Sequence, residues 1–151
     1  MGKSIEKTII IKQTSAKENF TIIPPEVEDA RGVETGTLAV NGSHTAGDTT
    51  IAIDGFAADT ANRLRTGDFI KFNGHTKIYM VVADVTSSSN AATVTIEPPL
   101  VSALADDETV SYDNIPFTVH LTNDIQEFGV VGADKDGNLL YQFEFDVEES
   151  I

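Results

Sequence analysis

The stretch LRTGDFIKFNGHTKIYMVV, residues 64–82, sets Arg65, Asp68, Lys71 and His75 close together. A cation, a carboxylate and an imidazole are the parts of an acid–base or anion-binding site. The chain offers three histidines for such work near neutral pH, His44, His75 and His120. None stands in a metal-ligand spacing such as His-x-x-x-His or His-Glu-x-x-His. Ser43, His44 and Asp48 supply the residue types of a hydrolytic triad, yet triads are assembled from distant segments and the chain has no Gly-x-Ser-x-Gly elbow. The loop ADKDGNLLY, residues 133–141, alternates oxygen donors at Asp134, Asp136 and Asn138, as calcium loops do. An EF-hand needs glycine sixth and glutamate twelfth, whereas here Gly137 is fourth and Phe145 twelfth. Between two strand-like segments, Asp-Gly-Asn predicts a hairpin turn, with calcium as the lesser alternative. Neither glycine-rich phosphate cradle occurs, and the adjacent carboxylates Asp106, Asp107 and Glu108 lack the separation that glycoside hydrolysis requires. The expectation is a protein with no catalytic residues, no cofactor and no dedicated metal.

The elements that would position these groups are strands. Short β-branched runs recur between turn residues: TLAVN (37–41), TTIAID (49–54), FIKF (69–72), KIYMVVAD (77–84), ATVTIE (92–97) and ETVSY (108–112). That rhythm predicts a small antiparallel barrel or sandwich. Only AADTANRL, with Asp59 or Thr60 as N-cap, and PLVSALAD could form a turn of helix. Two runs precede the series, KTIIIKQ (7–13) and NFTIIP (19–24), and PEVEDARGVETG after them reads as a linker led by Pro24-Pro25. Three longer runs follow it: PFTVHLT (116–122), QEFGVVGA (126–133) and NLLYQFEFDVE (138–148). The last alternates, with Leu139, Tyr141, Phe143, Phe145 and Val147 on one face and mostly polar residues on the other. A lone hairpin is marginal in water, so the flanking strands are expected to pair. The predicted organisation is all-β: residues 1–34 and 114–151 form a host sheet with an N-terminal arm, and residues 35–113 form an inserted barrel or sandwich. Within residues 64–82, this reading turns the apparent site into a turn, Arg65-Thr66-Gly67-Asp68, followed by a hairpin tipped at Asn73-Gly74, with its charges at turns and on outward positions.

Composition narrows the function classes. The chain has 151 residues, no cysteine, and 24 acidic against 10 basic side chains, a net charge of -14. One domain, or a small domain with an insertion, is what that length holds. The absence of cysteine rules out disulfides, thiolate metal clusters and a cysteine nucleophile. Mean hydropathy is -0.08 and no apolar run nears the roughly 20 residues of a spanning helix, so the chain falls in the soluble globular class. The charge disfavours a grip on nucleic acid phosphates. It peaks in residues 114–151, which hold 8 acidic residues and 1 basic.

The inserted region resembles a module of virion structural proteins from tailed bacteriophages. The likeness rests on GTLAVNGSHTAGDTTIAIDGF, on LRTGDFIKFNGHTKIYMVVADV with its Gly-Asp-hydrophobic-x-hydrophobic and Lys-x-Tyr-x-Val strands, and on ATVTIEPPLVSALADDETV with its closing Pro-Pro-Leu. PFTVHLTNDIQEFG and LLYQFEFDVEE are similar to the ends of tail and baseplate components, so the resemblance covers residues 35–148. It implies a non-enzymatic structural component of the virion, made in the host bacterial cytoplasm, at the tail tip, baseplate or head–tail region. Its partners would be copies of itself and other virion proteins, with no specific nucleic acid and no membrane. The chain is too short, and lacks the long helix, for a complete major capsid protein. A capsid decoration protein and a receptor- or carbohydrate-binding module are the alternatives; the second would want exposed aromatics for stacking, and there is no Trp.

Overall fold

The computed structural model describes residues 18–25, 28–122, 128–143 and 146–150. The expected strand at 7–13, residues 26–27 of the expected linker, residues 126–127 of the expected strand 126–133 and residues 144–145 of the expected strand 138–148 lie outside the described residues. Eleven strands are described: β1 (Phe20–Ile22), β2 (Leu38–Val40), β3 (Thr50–Asp54), β4 (Phe69–Phe72), β5 (Ile78–Val81), β6 (Ala91–Glu97), β7 (Thr109–Ser111), β8 (Phe117–Leu121), β9 (Phe128–Ala133), β10 (Leu139–Phe143) and β11 (Val147–Glu149). Six of them close into an antiparallel barrel in the order β2-β3-β6-β5-β4-β7. Between barrel and sandwich, the structure is a barrel. Closure leaves it without an edge strand, which removes the template for edge-to-edge aggregation. β1, β8 and β11, from the two ends of the chain, form a second sheet in the order β1-β8-β11, and β9 pairs with β10 as a two-stranded sheet. The barrel and the β9–β10 hairpin belong to two different compact units of the chain.

Period-two alternation sets the barrel core. Leu38 and Val40, Ile51 and Ile53, Ile70 and Phe72, Tyr79 and Val81, Val94 and Ile96, and Val110 point inward and are all buried. Each such side chain contributes roughly 1.5–3 kcal/mol by leaving water. Loop residues Phe56, Leu64, Val85, Leu100 and Leu104 join the same cluster. Tyr79 is the largest fully buried side chain among the described residues, and its hydroxyl has a partner: the Val101 amide donates to it at 3.1 Å. Tyr79→Phe is expected to cost about 1 kcal/mol, read as a lower urea midpoint, because the hydrocarbon stays while the amide loses its acceptor. On the outer face, Phe69 meets Phe117 edge-on with ring centroids 5.5 Å apart.

Neither expected helical turn forms. The residues of AADTANRL bond across to residues 85–91 instead: the Asp59 carboxylate accepts the amides of Ser89 (2.8 Å) and Asn90 (2.7 Å), the Arg63 amide donates to the Val85 carbonyl, and Asn62 takes a φ of 60°. Asp59 therefore caps a tertiary turn rather than a helix. In PLVSALAD, Leu104 exchanges both backbone bonds with His44. Long-range partners satisfy the amides and carbonyls that a helix would have paired internally. The run 138–148 also departs from expectation. β10 pairs with β9, with a register shift between Leu140 and Tyr141, while β11 joins the three-stranded sheet, so one expected strand serves two sheets. Among the described residues no helix is long and apolar enough to cross a membrane.

Candidate functional site

The segment read as a linker is, from residue 28 onward, a strap bound to the barrel. Residues EDARGVETG lack the alternation of a strand, so their amides need other acceptors. The buried carboxylates of Asp68 and Glu34, the carboxylate of Asp113 and two backbone carbonyls provide them. Asp68, 3% exposed, closes the turn 65–68 by accepting the Arg65 amide at 2.7 Å, and also accepts the strap amides of Arg31 at 2.9 Å and Gly32 at 3.2 Å and the Arg31 Nε at 3.3 Å. The same Arg31 guanidinium donates to the Thr66 carbonyl. The strap then runs beside residues 62–63, with the Val33 amide on the Asn62 carbonyl and the Glu34 amide on the Arg63 carbonyl. Upstream, the Ala30 amide donates to Asp113 Oδ1 at 2.7 Å and the Asn114 amide to the Glu28 carbonyl.

Glu34 is the second anchor. Its side chain is fully buried and meets Arg63 Nε at 2.6 Å through Oε2, while Oε1 accepts the amides of Thr35 (2.9 Å), Gly36 (2.5 Å) and Ala57 (3.0 Å). Burial pushes the carboxyl up, but the Arg63 guanidinium and the amides of Ala57, Gly36 and Thr35 outweigh it and bring it down to about 2. Tyr112 adds a bond from its hydroxyl to the Gly36 carbonyl at 2.7 Å. Asp84 steadies the turn 65–68 from its other side, accepting the Thr66 amide and hydroxyl, which hold its carboxyl below the ordinary range.

These residues correct the expectation that charges in 64–82 occupy outward positions. Asp68 sits in a turn yet is buried, because it is the common acceptor for turn and strap. His75 is also mostly covered: its Nε2 lies 3.2 Å from Glu108 Oε1, with both side chains little exposed, and its Nδ1 lies 3.5 Å from the Ser102 hydroxyl. Glu34, Arg63 and Arg31 were not singled out from the sequence. The available signal was glycine: Gly32 and Gly36 bracket Glu34 in a segment that is neither strand nor loop tip. A Cβ at Gly32 would collide with the Arg63 carbonyl, and one at Gly36 with the Gly55 carbonyl.

The other sequence candidates are likewise engaged in holding loops. His44 Nδ1 lies 3.6 Å from Asp48, as a triad would have it, but the Ala52 amide donates to His44 Nε2 at 3.1 Å. That nitrogen is occupied and cannot receive a proton from Ser43. Asp48 in turn accepts the Thr45 amide and hydroxyl. His120 Nε2 stands 3.9 Å from Glu148 across the second sheet. In the loop 133–138, the Asp134 carboxylate accepts the Asp136 amide (2.8 Å), the Asn138 amide (2.9 Å) and the Asn138 side-chain amide (2.9 Å). The Asn138 bonds lead in holding the Asp134 carboxyl below its ordinary range, and Asp136 pairs with Lys135. These are the bonds of a hairpin turn. Among the described residues no group of three or more His, Asp or Glu is placed to hold a metal ion.

What the arrangement does chemically is bind its own backbone. A family model described as distal tail protein pb9, B domain, matches residues 30–115, which begins in the strap and ends just beyond Asp113, its partner. Among curated proteins none matches the chain.

Proposed function

We propose, on the premise that this chain belongs to the family of the distal tail protein pb9 B domain, that it acts without catalysis as a symmetric, self-associating part of a bacteriophage tail. Membership makes it a structural protein of the phage tail, a component of the virion that interacts with other virion proteins. Within the tail, the proposed position is the tip, baseplate or head–tail region. Residues 1–34 and 114–151 serve as the carrier with its N-terminal arm, and residues 35–113 are the inserted unit. The observation that carries this reading is the match over strap and barrel, the part of the chain in which the buried carboxylates Glu34 and Asp68 are committed to internal hydrogen bonds. A protein of this kind recognises partners through repeated surfaces rather than through a pocket. Its net charge of -14 suits a surface that lets a polyanion pass rather than one that holds it.

The assembly state tests the proposal. Light scattering on the full chain is expected to show one closed oligomer that persists on dilution, and deletion of the arm, residues 1–34, is expected to weaken it. A full-length monomer at high protein concentration would overturn the self-association. An oligomer unchanged by the deletion would remove the arm and leave the rest standing.

A further inference from the structure

The chain contains two Asn-Gly steps, Asn41-Gly42 and Asn73-Gly74. Glycine after asparagine leaves the peptide nitrogen sterically open to the side-chain amide carbon, so intramolecular attack begins once that nitrogen loses its proton. The structure places the two nitrogens in opposite surroundings. The Gly42 amide donates to Asp106 Oδ1 at 2.6 Å. A short bond to a carboxylate keeps the proton on nitrogen and opposes the anion that attack requires. The Gly74 amide makes no hydrogen bond to any described residue. Asn73 and Gly74 are both exposed at the hairpin tip, and the space beside Gly74 is open, with Glu108 Oε1 the nearest atom at 4.0 Å from where a Cβ would stand. That carboxylate is turned to His75 Nε2 at 3.2 Å.

We propose that Asn73 is a site of spontaneous modification, converting to aspartate and isoaspartate, while Asn41 is protected by Asp106. The deprotonated Gly74 nitrogen attacks the Asn73 side-chain carbon, forming a carbon–nitrogen bond and closing a five-membered imide. The bond to the side-chain nitrogen breaks, and that nitrogen leaves as ammonia with a proton from water. Water then opens the imide at either carbonyl, giving aspartate or the isomer whose backbone runs through the side-chain carbon. No oxidant or reductant enters. The product places a new carboxylate at the exposed hairpin tip, and the isomer adds a methylene to a turn closed by the His75 amide on the Phe72 carbonyl at 3.2 Å. The tip thus records the age of the molecule. This inference does not depend on the tail reading; it requires only a protein that persists without renewal.

The test is peptide mapping by mass spectrometry of the full chain aged at mildly alkaline pH, with isoaspartate methyltransferase labelling to identify the isomer. Conversion at Asn73 is expected to exceed that at Asn41 at least about tenfold, the least that a charge-assisted hydrogen bond on the competing amide provides. In a chemically unfolded chain the two rates should converge. Asp106→Ala should raise conversion at Asn41 toward that at Asn73. Equal rates in the folded chain, or faster loss of Asn41, would overturn the proposal, and an unchanged Asn41 rate in the Asp106 variant would overturn the protection.

Discussion

Gly55→Ala is expected to destabilise the barrel by roughly 3 kcal/mol or more, enough to move the urea midpoint well outside the range of ordinary surface variants. Two constraints meet at this residue. Its φ of 83° is a left-handed conformation that a side chain resists, and a Cβ there would land on the Thr37 carbonyl oxygen, a backbone atom that cannot swing aside. Gly36 closes the same contact from the other direction, since its own Cβ would meet the Gly55 carbonyl. Gly74 separates the two constraints: its φ is 81°, but the space beside it is open. Gly74→Ala should therefore lose only about 1 kcal/mol, the cost of the backbone conformation alone. Equal losses for the two variants in denaturant titrations would mean that the close approach of the two segments does not limit stability.

Removing Glu34 should be comparably severe. Glu34→Ala leaves the Arg63 guanidinium buried without its carboxylate and three amides without an acceptor, and breaking a buried pair in this way costs about 3–5 kcal/mol. Glu34→Gln keeps the shape and can still accept through its carbonyl oxygen, so it should fall between the wild type and the alanine variant. The pair also sets a pH dependence. The Glu34 carboxyl is lowered in the folded state from an ordinary value of 4.5 to about 2. A depressed carboxyl contributes stability that is fully present above the unfolded value and is lost as the pH falls through the folded one. The Glu34 contribution is therefore expected to fade between about pH 4.5 and 2. Other carboxylates titrate in that window, so the readout is the difference in unfolding free energy between wild type and Glu34→Gln, which should shrink as the solution is acidified. A difference constant down to pH 2 would show that the ion pair contributes nothing to stability.

The sequence made the barrel strands legible because their signal is local. FIKF and TIAID alternate in burial as the period-two rule requires, and the turns at 65–68 and 73–74 carry the glycines that such turns need. The strap was not legible for the opposite reason. Glu34 stands 29 residues from Arg63, and Asp68 stands 37 from Arg31, so nothing in the local pattern distinguishes these carboxylates from solvated ones. The helical turn expected at AADTANRL failed similarly, since its Asp59 cap serves the amides of Ser89 and Asn90 rather than those of its own segment. His44 and Asp48 did come together as their spacing allowed. Only the amide of Ala52, from the neighbouring strand, shows that the imidazole is already in use.

The strands that open and close the barrel, β2 and β7, are neighbours, paired at Leu38 with Val110 and at Ala39 with Thr109. The chain therefore arrives and departs at nearly one place, and Tyr112 and Gly36 join the two ends by a hydrogen bond. Adjacent termini of this kind are what allow a compact unit to be inserted or exchanged without rerouting the polypeptide on either side. Recombination that takes the strap together with the barrel, so that Glu34 keeps Arg63, would exchange what this unit presents while leaving the path of the chain on either side unchanged.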